Sequence, residues 1–275
     1  MVNVVVFTKL FAIKDMMSGM QLHAACGCHQ GKRRSNNEDN FYFDGLYMNS
    51  DNHGLSNIES KTVSLNSDSF FAVFDGMGGA DYGEVASYTA AKDTKKYLTI
   101  ETNMNPCDIT PSLEHLCETV NDAVFDAGQS LGTSKMGSTL AGLYFHSGQV
   151  WVCNLGDSRC YMLRNGKMTQ ISEDHTDEEF MKQNGITGRK PYLTQYLGID
   201  SQEMMIVPHV KSYYLDKGDR FLICSDGVTD MVDEMQISGM LKWCSSPEVC
   251  VEELIRASLD GGGRDNITAI VLDVD

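Results

Sequence analysis

Positive charge is what this chain lacks most. Its 22 Lys and Arg stand against 38 Asp and Glu, a formal net charge of −16 over 275 residues. Phosphate backbones are met by clustered Lys and Arg, so the deficit argues against a nucleic-acid partner. An acidic chain instead stays soluble and can recruit cations. Long hydrophobic runs are also missing. The apolar stretch 2–13 is too short to span a bilayer. It has no basic start and no small-residue cleavage site, which argues against a signal peptide. It reads as an extra edge strand, or as sequence upstream of a later start at Met16, Met17 or Met20. Paired cysteine is absent from the pattern too. The nine cysteines are odd in number and several fall inside apolar runs. That suits buried free thiols in a reducing compartment, not a disulfide framework. Cys26 and Cys28, with His23 and His29 close by, are spaced too tightly for a structural zinc site. No repeat or low-complexity linker divides the chain.

What is present is a pair of apolar runs that each end in Asp-Gly. Phe70 to Phe74 runs into Asp75-Gly76, and Phe221 to Ser225 runs into Asp226-Gly227. Each reads as a buried strand that delivers a carboxylate to a sheet edge and turns on glycine. A third carboxylate, Asp265, precedes the apolar run Ile267 to Val274. Unpaired carboxylates are costly to bury, and three of them point to a shared cation. Ligands made only of oxygen favour magnesium, manganese or calcium over zinc. Asp-Gly is also a common turn pair, and Asp44-Gly45 and Asp260-Gly261 read as turns only. Gly76 has no side chain, so its backbone can come close to a cation. Arg34 lies just before Glu38 and Asp39. On its own this reads as a loop ion pair. A guanidinium beside a metal site would also suit two phosphate oxygens.

The periodicities predict strands over 21–28, 40–48 and 70–75, with 49–68 a surface connection. A helix follows over about 84–98. A second starts near Pro111 with Thr110 as its N-cap, and carries Leu113, Leu116, Val120, Val124 and Leu131 at helical spacing. Hairpins are expected over 138–154 and 159–171, the latter turning at Asn165-Gly166. Residues 172–200 are polar with short helical character. Strands 206–215 and 221–225, helices 232–242 and 247–259, and a last strand 267–273 complete the reading. Hairpins with segregated helix pairs predict an α+β sandwich rather than a doubly wound sheet.

Seven segments, taken in order, resemble the metal-dependent serine/threonine protein phosphatases of type 2C, especially their bacterial branch. They are Arg34 to Asp39, Phe71 to Gly79, Met136 to Leu140, Asn154 to Arg159, Glu173 to His175, Leu222 to Gly227 and Asp265 to Thr268. The likeness covers 21–275, which would be the catalytic domain, with 1–20 an N-terminal extension and 172–200 a flap beside the site. It implies a four-layer α-β-β-α sandwich around two central antiparallel sheets. It implies hydrolysis of phosphoserine and phosphothreonine monoesters by a water or hydroxide activated between two Mn2+ or Mg2+ ions.

The resemblance also assigns roles. Asp75 would bridge the metals and the Gly76 carbonyl would complete the second metal's shell. Asp226 and Asp265 would hold the first metal. Glu38 and Asp39 would orient metal-bound waters, Asp39 with a direct bond. Arg34 would hold the substrate phosphate. Asp157 and Asp230, with Asp226, match positions that bind a weaker third metal. Phosphorylated proteins would be the partners, opposed by a Ser/Thr protein kinase, in the cytoplasm, with neither nucleic acid nor membrane bound.

Many eukaryotic members carry a histidine, proposed as general acid, where this chain has Met77, and a thioether cannot protonate a leaving group. Cys224 reads as core, not as a catalytic thiol. In the flap, Arg189 and Lys190 suit either the acidic flank of a phosphopeptide or a solvated loop. Two other functions fit less well: a silent binding module, which would be expected to lose its aspartates, and a small-molecule phosphatase.

Overall fold

A computed structural model of the chain describes residues 19–77, 82–100 and 108–275. The expectations for residues 2–13, for starts at Met16 and Met17, and for Gly78 and Gly79 lie outside them. Among the described residues there are eleven strands: β1 (Gln21–His29), β2 (Asp39–Phe43), β3 (Glu59–Ser64), β4 (Ser69–Asp75), β5 (Leu140–His146), β6 (Gln149–Leu155), β7 (Arg159–Arg164), β8 (Lys167–Gln170), β9 (His209–Tyr214), β10 (Arg220–Cys224) and β11 (Ile267–Val274). The described helices are α1 (Gly83–Ile100), α2 (Ile109–Ser130), α3 (Glu178–Asn184), α4 (Asp226–Thr229), α5 (Glu234–Trp243) and α6 (Pro247–Asp260).

One sheet has six strands in the order β3-β1-β11-β10-β7-β8, and the other has five in the order β2-β4-β5-β6-β9. The pairings along both sheets are antiparallel. Strand alternation explains how three apolar layers arise from these two sheets. In β4, Phe71 and Val73 point between the sheets, among Leu22, Phe41, Phe145 and Phe221. Phe70, Ala72 and Phe74 point the other way, against Ala86 and Ala90 of α1 and Leu113, Leu116 and Val120 of α2. The six-stranded sheet does the same on its own outer face. There Ala25, Leu222 and Val271 pack on Ile237 and Leu241 of α5 and on Val251 and Leu254 of α6. The result is the four-layer α-β-β-α sandwich that the sequence pattern predicts.

The differences from the expected elements have local causes. The connection 49–68 contains β3, an edge strand that is mostly exposed and so shows no buried face in its sequence. The second strand stops at Phe43, because Asp44 and Gly45 both take positive φ, 44° and 103°, and turn the chain. Helix α2 starts at Ile109 with Asp108 as N-cap, two residues earlier than Thr110-Pro111 suggested. The helix expected over 232–242 is α5, which begins two residues later at Glu234, and the short α4 that precedes it was not expected. Asp233 starts α5 with a reciprocal capping box, its side chain accepting from the Gln236 backbone N–H.

Candidate metal centre

Five carboxylates meet at one end of the sandwich. Asp39 opens β2 and Asp75 closes β4, and the two are register partners. Asp226 follows β10, Asp265 precedes β11, and Asp157 lies in the turn between β6 and β7. The sequence separations are long, yet antiparallel pairing of β2 with β4 and of β10 with β11 joins the strand ends in two pairs, and face-to-face packing of the two sheets brings those pairs together.

Each group is fixed by its own partners. The Asp39 carboxylate is 1% exposed. Its Oδ2 accepts hydrogen bonds from Ser225 Oγ and Thr268 Oγ1, both at 2.7 Å. The Asp75 backbone N–H donates to Thr139 Oγ1 at 3.0 Å, and the Asp75 carbonyl accepts from the Thr139 N–H at 2.8 Å. The Thr139 hydroxyl in turn lies 2.7 Å from that of Ser158. Asn266 clamps the loop that carries Arg34 and Glu38. Its Oδ1 accepts from the Glu38 N–H at 2.8 Å, and its Nδ2 donates to the carbonyls of Gln30 and Asn36.

Both Asp-Gly corners need glycine for steric reasons. A Cβ on Gly76 would stand 2.1 Å from the Gly83 carbonyl oxygen, and one on Gly227 would stand 1.8 Å from that of Asn266. No real Cβ comes so close, so backbone is packed on backbone at both corners.

Burial and mutual repulsion raise the carboxyl pKa values across the cluster. Burial, with Asp226 and Asp265 nearby, pushes Asp39 up to about 7 despite its two hydroxyl donors. Burial and the Asp226, Asp39, Asp157 and Asp265 charges drive Asp75 well above the usual carboxylate range. Asp157 rises to about 6 through burial and Asp226, offset in part by Lys190. Burial raises Asp226 as well, with Lys190 opposing it. Glu38 rises chiefly by burial, against the pull of Asn36 and Arg34.

Two cations of the chain itself reach into this cluster. Arg34 Nη2 donates to Asp265 Oδ2 at 2.8 Å, and Nη1 to Glu38 Oε2 at 3.4 Å. Lys190 Nζ donates to Asp226 Oδ2 and, at 3.0 Å, to Asp230 Oδ2. With these contacts made, no three His, Cys, Asp or Glu side chains among the described residues are drawn into a ligand array. The donor set nevertheless fits a hard divalent cation. It is all oxygen, it carries surplus negative charge, and Asp226 Oδ1 is buried with no hydrogen-bond partner.

Of the residues singled out in the sequence, Arg34, Glu38, Asp39, Asp75, Gly76, Asp157, Asp226, Asp230 and Asp265 therefore cluster at this end. The bonds that Ser225, Thr268, Thr139 and Asn266 make here were not anticipated. All four lie inside the quoted motifs, which was the available signal. Met77 donates its N–H to the Gly137 carbonyl at 2.9 Å, and its sulfur would lie 3.0 Å from a Cβ on Gly137. Cys224 is fully buried, as expected of core.

Residues 50–254 match the family model described as "Protein phosphatase 2C". The chain is 30% identical over 273 residues to the serine/threonine phosphatase stp of Listeria monocytogenes, an alignment covering 92% of this chain and 96% of that protein. It is 32% identical over 218 residues to the serine/threonine protein phosphatase PstP of Mycobacterium tuberculosis, covering 74% of this chain and 40% of that one. A crystal structure of the PstP catalytic domain in complex with two manganese ions superposes with a TM-score of 0.72 at 28% identity. It covers 93% of this chain and 99% of that one.

Proposed function

The chain belongs to the protein phosphatase 2C family, and from that premise we propose how its own residues carry out serine/threonine phosphate-ester hydrolysis. The enzyme is a metal-dependent serine/threonine protein phosphatase whose substrates are phosphorylated proteins. Its cofactor is Mn2+ or Mg2+. The observation that carries the site assignment is Asp226 Oδ1, a buried carboxylate oxygen without a partner among carboxylates that repel one another. Asp75, Asp226 and Asp265, with Asp39 and the Gly76 carbonyl, would hold two ions. Glu38 would support this shell from the rim.

Held there, the ions would supply positive charge against the phosphate monoester and Lewis acidity toward water. The protein does the positioning. Ser225 and Thr268 fix the Asp39 carboxylate, and the backbone pair with Thr139 fixes the Asp75 strand end. Arg34 stands at the mouth, its side chain one-third exposed, tethered by Asp265 and Glu38. Asp265 raises its already high pKa, so it offers a permanent charge and a planar fork to phosphoryl oxygens. No Cys or Ser nucleophile is required, and the buried Cys224 thiol is pushed up to about 12, far from a reactive thiolate.

Residues 21–275 would form the catalytic domain, with 172–200 as the flap. An opposing Ser/Thr protein kinase and a cytoplasmic setting complete the proposal. The free, mostly buried cysteines support a reducing compartment. Among the described residues no helix is long and apolar enough to cross a membrane. The testing experiment compares Mn2+-dependent phosphate release from phosphoserine and phosphothreonine peptides with release from sugar phosphates and phosphodiesters. Phosphopeptides should be favoured at least tenfold in kcat/KM. A preference for sugar phosphates would move the chain to small-molecule chemistry.

A further inference from the structure

The third-metal positions suggested by the sequence hold something unexpected, the side chain of Lys190. Its ammonium donates to Asp226 Oδ2 and to Asp230 Oδ2, the latter at 3.0 Å. The contact spans 36 and 40 residues of sequence. Lys190 is half exposed and Asp230 nearly so, but the segment around Lys190 is built to aim it at the better buried Asp226. The two arms of the flap are laced by the bridge between Thr176 and Leu193 and by the Asp177 N–H donating to the Tyr192 carbonyl at 2.9 Å. Arg189, the preceding residue, is locked to the Asp177 carboxylate, with Nη1 at 3.2 Å, and its guanidinium lies 4.0 Å from the centre of the Tyr192 ring. Pro191 restricts the backbone on the other side. Lys190 is thus held between two constrained residues and turned down onto the carboxylates.

The two Asp226 oxygens are used differently. Oδ2 is taken by Lys190, while Oδ1 is buried with no partner. One oxygen therefore stays available to the ion pair proposed above, and the other faces a charge the chain supplies itself. We propose that Lys190 is a tethered cation standing in for a third metal ion between Asp226 and Asp230, so that a seated flap and a third bound ion exclude one another. The inference rests on the reading of Asp226 as a ligand of the metal centre.

The competition favours the lysine. A group on a short tether acts at an effective concentration of about millimolar, comparable with the free concentrations at which a weakly held ion binds. A compact ammonium also suits a position between two carboxylate oxygens. Lys190 further offsets the charge of Asp157, the remaining carboxylate of that position. Removing it leaves Asp157, Asp226 and Asp230 without their shared counter-charge, which an added divalent ion would then supply. Flap position becomes linked to metal concentration, because each can satisfy the same oxygens.

The test counts bound Mn2+ by calorimetry and by the EPR signal of the free ion, up to millimolar metal, in the wild-type chain, Lys190→Met and Lys190→Arg. Hydrogen exchange of residues 176–193 is followed at low and high Mn2+. The wild type and Lys190→Arg should bind two ions, with any third at least tenfold weaker than in Lys190→Met. The Lys190→Met flap should exchange several-fold faster than wild type at low Mn2+. Equal ion counts and affinities in wild type and Lys190→Met overturn the proposal while leaving the two-ion centre intact. Failure of all three proteins to bind any Mn2+ overturns both.

Discussion

Replacing Asp39 by Asn should stabilise the metal-free protein while weakening its hold on metal. The Asp39 carboxyl is buried, and its pKa is raised from 3.8 to about 7 in the fold. At 1.36 kcal/mol per pH unit, keeping it ionised above pH 7 costs about 4 kcal/mol of folding stability. Asparagine removes that charge and retains what holds the side chain. Both hydroxyl donors, Ser225 and Thr268, reach the same oxygen, Oδ2, which an amide carbonyl can replace. The gain is smaller than the full figure because a buried amide is also desolvated, and about 2 kcal/mol is expected. For a chain of this size that corresponds to a Tm rise of roughly 4–8 °C. Thermal unfolding in EDTA at pH 7.5 provides the assay.

The pH dependence has a definite sign. A carboxyl with a raised folded pKa binds its proton more tightly when folded, so in EDTA the wild type should gain stability as pH falls from about 8 toward 5. Half-buried His175, whose pKa is lowered by burial, opposes this below about 6.5, its usual value. The Asp39→Asn variant should lack the share of the gain that Asp39 supplies, while Asp75, Asp157, Asp226 and Glu38, also raised, keep theirs. In Mn2+ the order should invert, with the wild type the more stable. An Asp39→Asn protein less stable than wild type in EDTA would refute the view that this cluster is held together against its own repulsion.

Two further substitutions probe the frame and the mouth of the site. Gly227→Ala drives a Cβ into the Asn266 carbonyl, 1.8 Å away, so backbone must move; a loss of about 3 kcal/mol in urea unfolding is expected, together with weaker Mn2+ binding, because Asp265 is displaced with its neighbour. Arg34→Lys keeps the charge but loses the planar fork, and should raise KM for a phosphopeptide about tenfold with little change in Tm, the worth of roughly one charge-assisted hydrogen bond.

The parts of the site that could be read from the sequence are those whose signal is local. Apolar runs ending at Asp75 and Asp226 mark buried strands, and both carboxylates stand at the strand ends as expected, although Gly227 lies within α4 and Gly76 bridges Ser138 instead of turning. The helix pairs likewise show their apolar stripes. What escaped depends on distant partners or on weak patterning. Strand β3 is an edge with alternate residues in water, and its polar sequence reads as a loop. The Ser225 and Thr268 bonds to Asp39 join residues 186 and 229 positions apart, which no spacing can reveal. Arg189 and Lys190 look alike in sequence. Folding separates them, one locking the flap to Asp177 and the other reaching Asp226 and Asp230.

The central claim is that Asp75, Asp226 and Asp265 hold the cations on which phosphate-ester hydrolysis depends. Phosphate release from a phosphothreonine peptide, measured with Mn2+, with excess EDTA, and for Asp226→Asn in Mn2+, tests it most directly. The wild type should turn over only with Mn2+. EDTA should abolish the activity, and Asp226→Asn should lower kcat/KM by at least 100-fold, about 2.7 kcal/mol of lost transition-state stabilisation. Undiminished activity in EDTA, or in Asp226→Asn, would contradict the account.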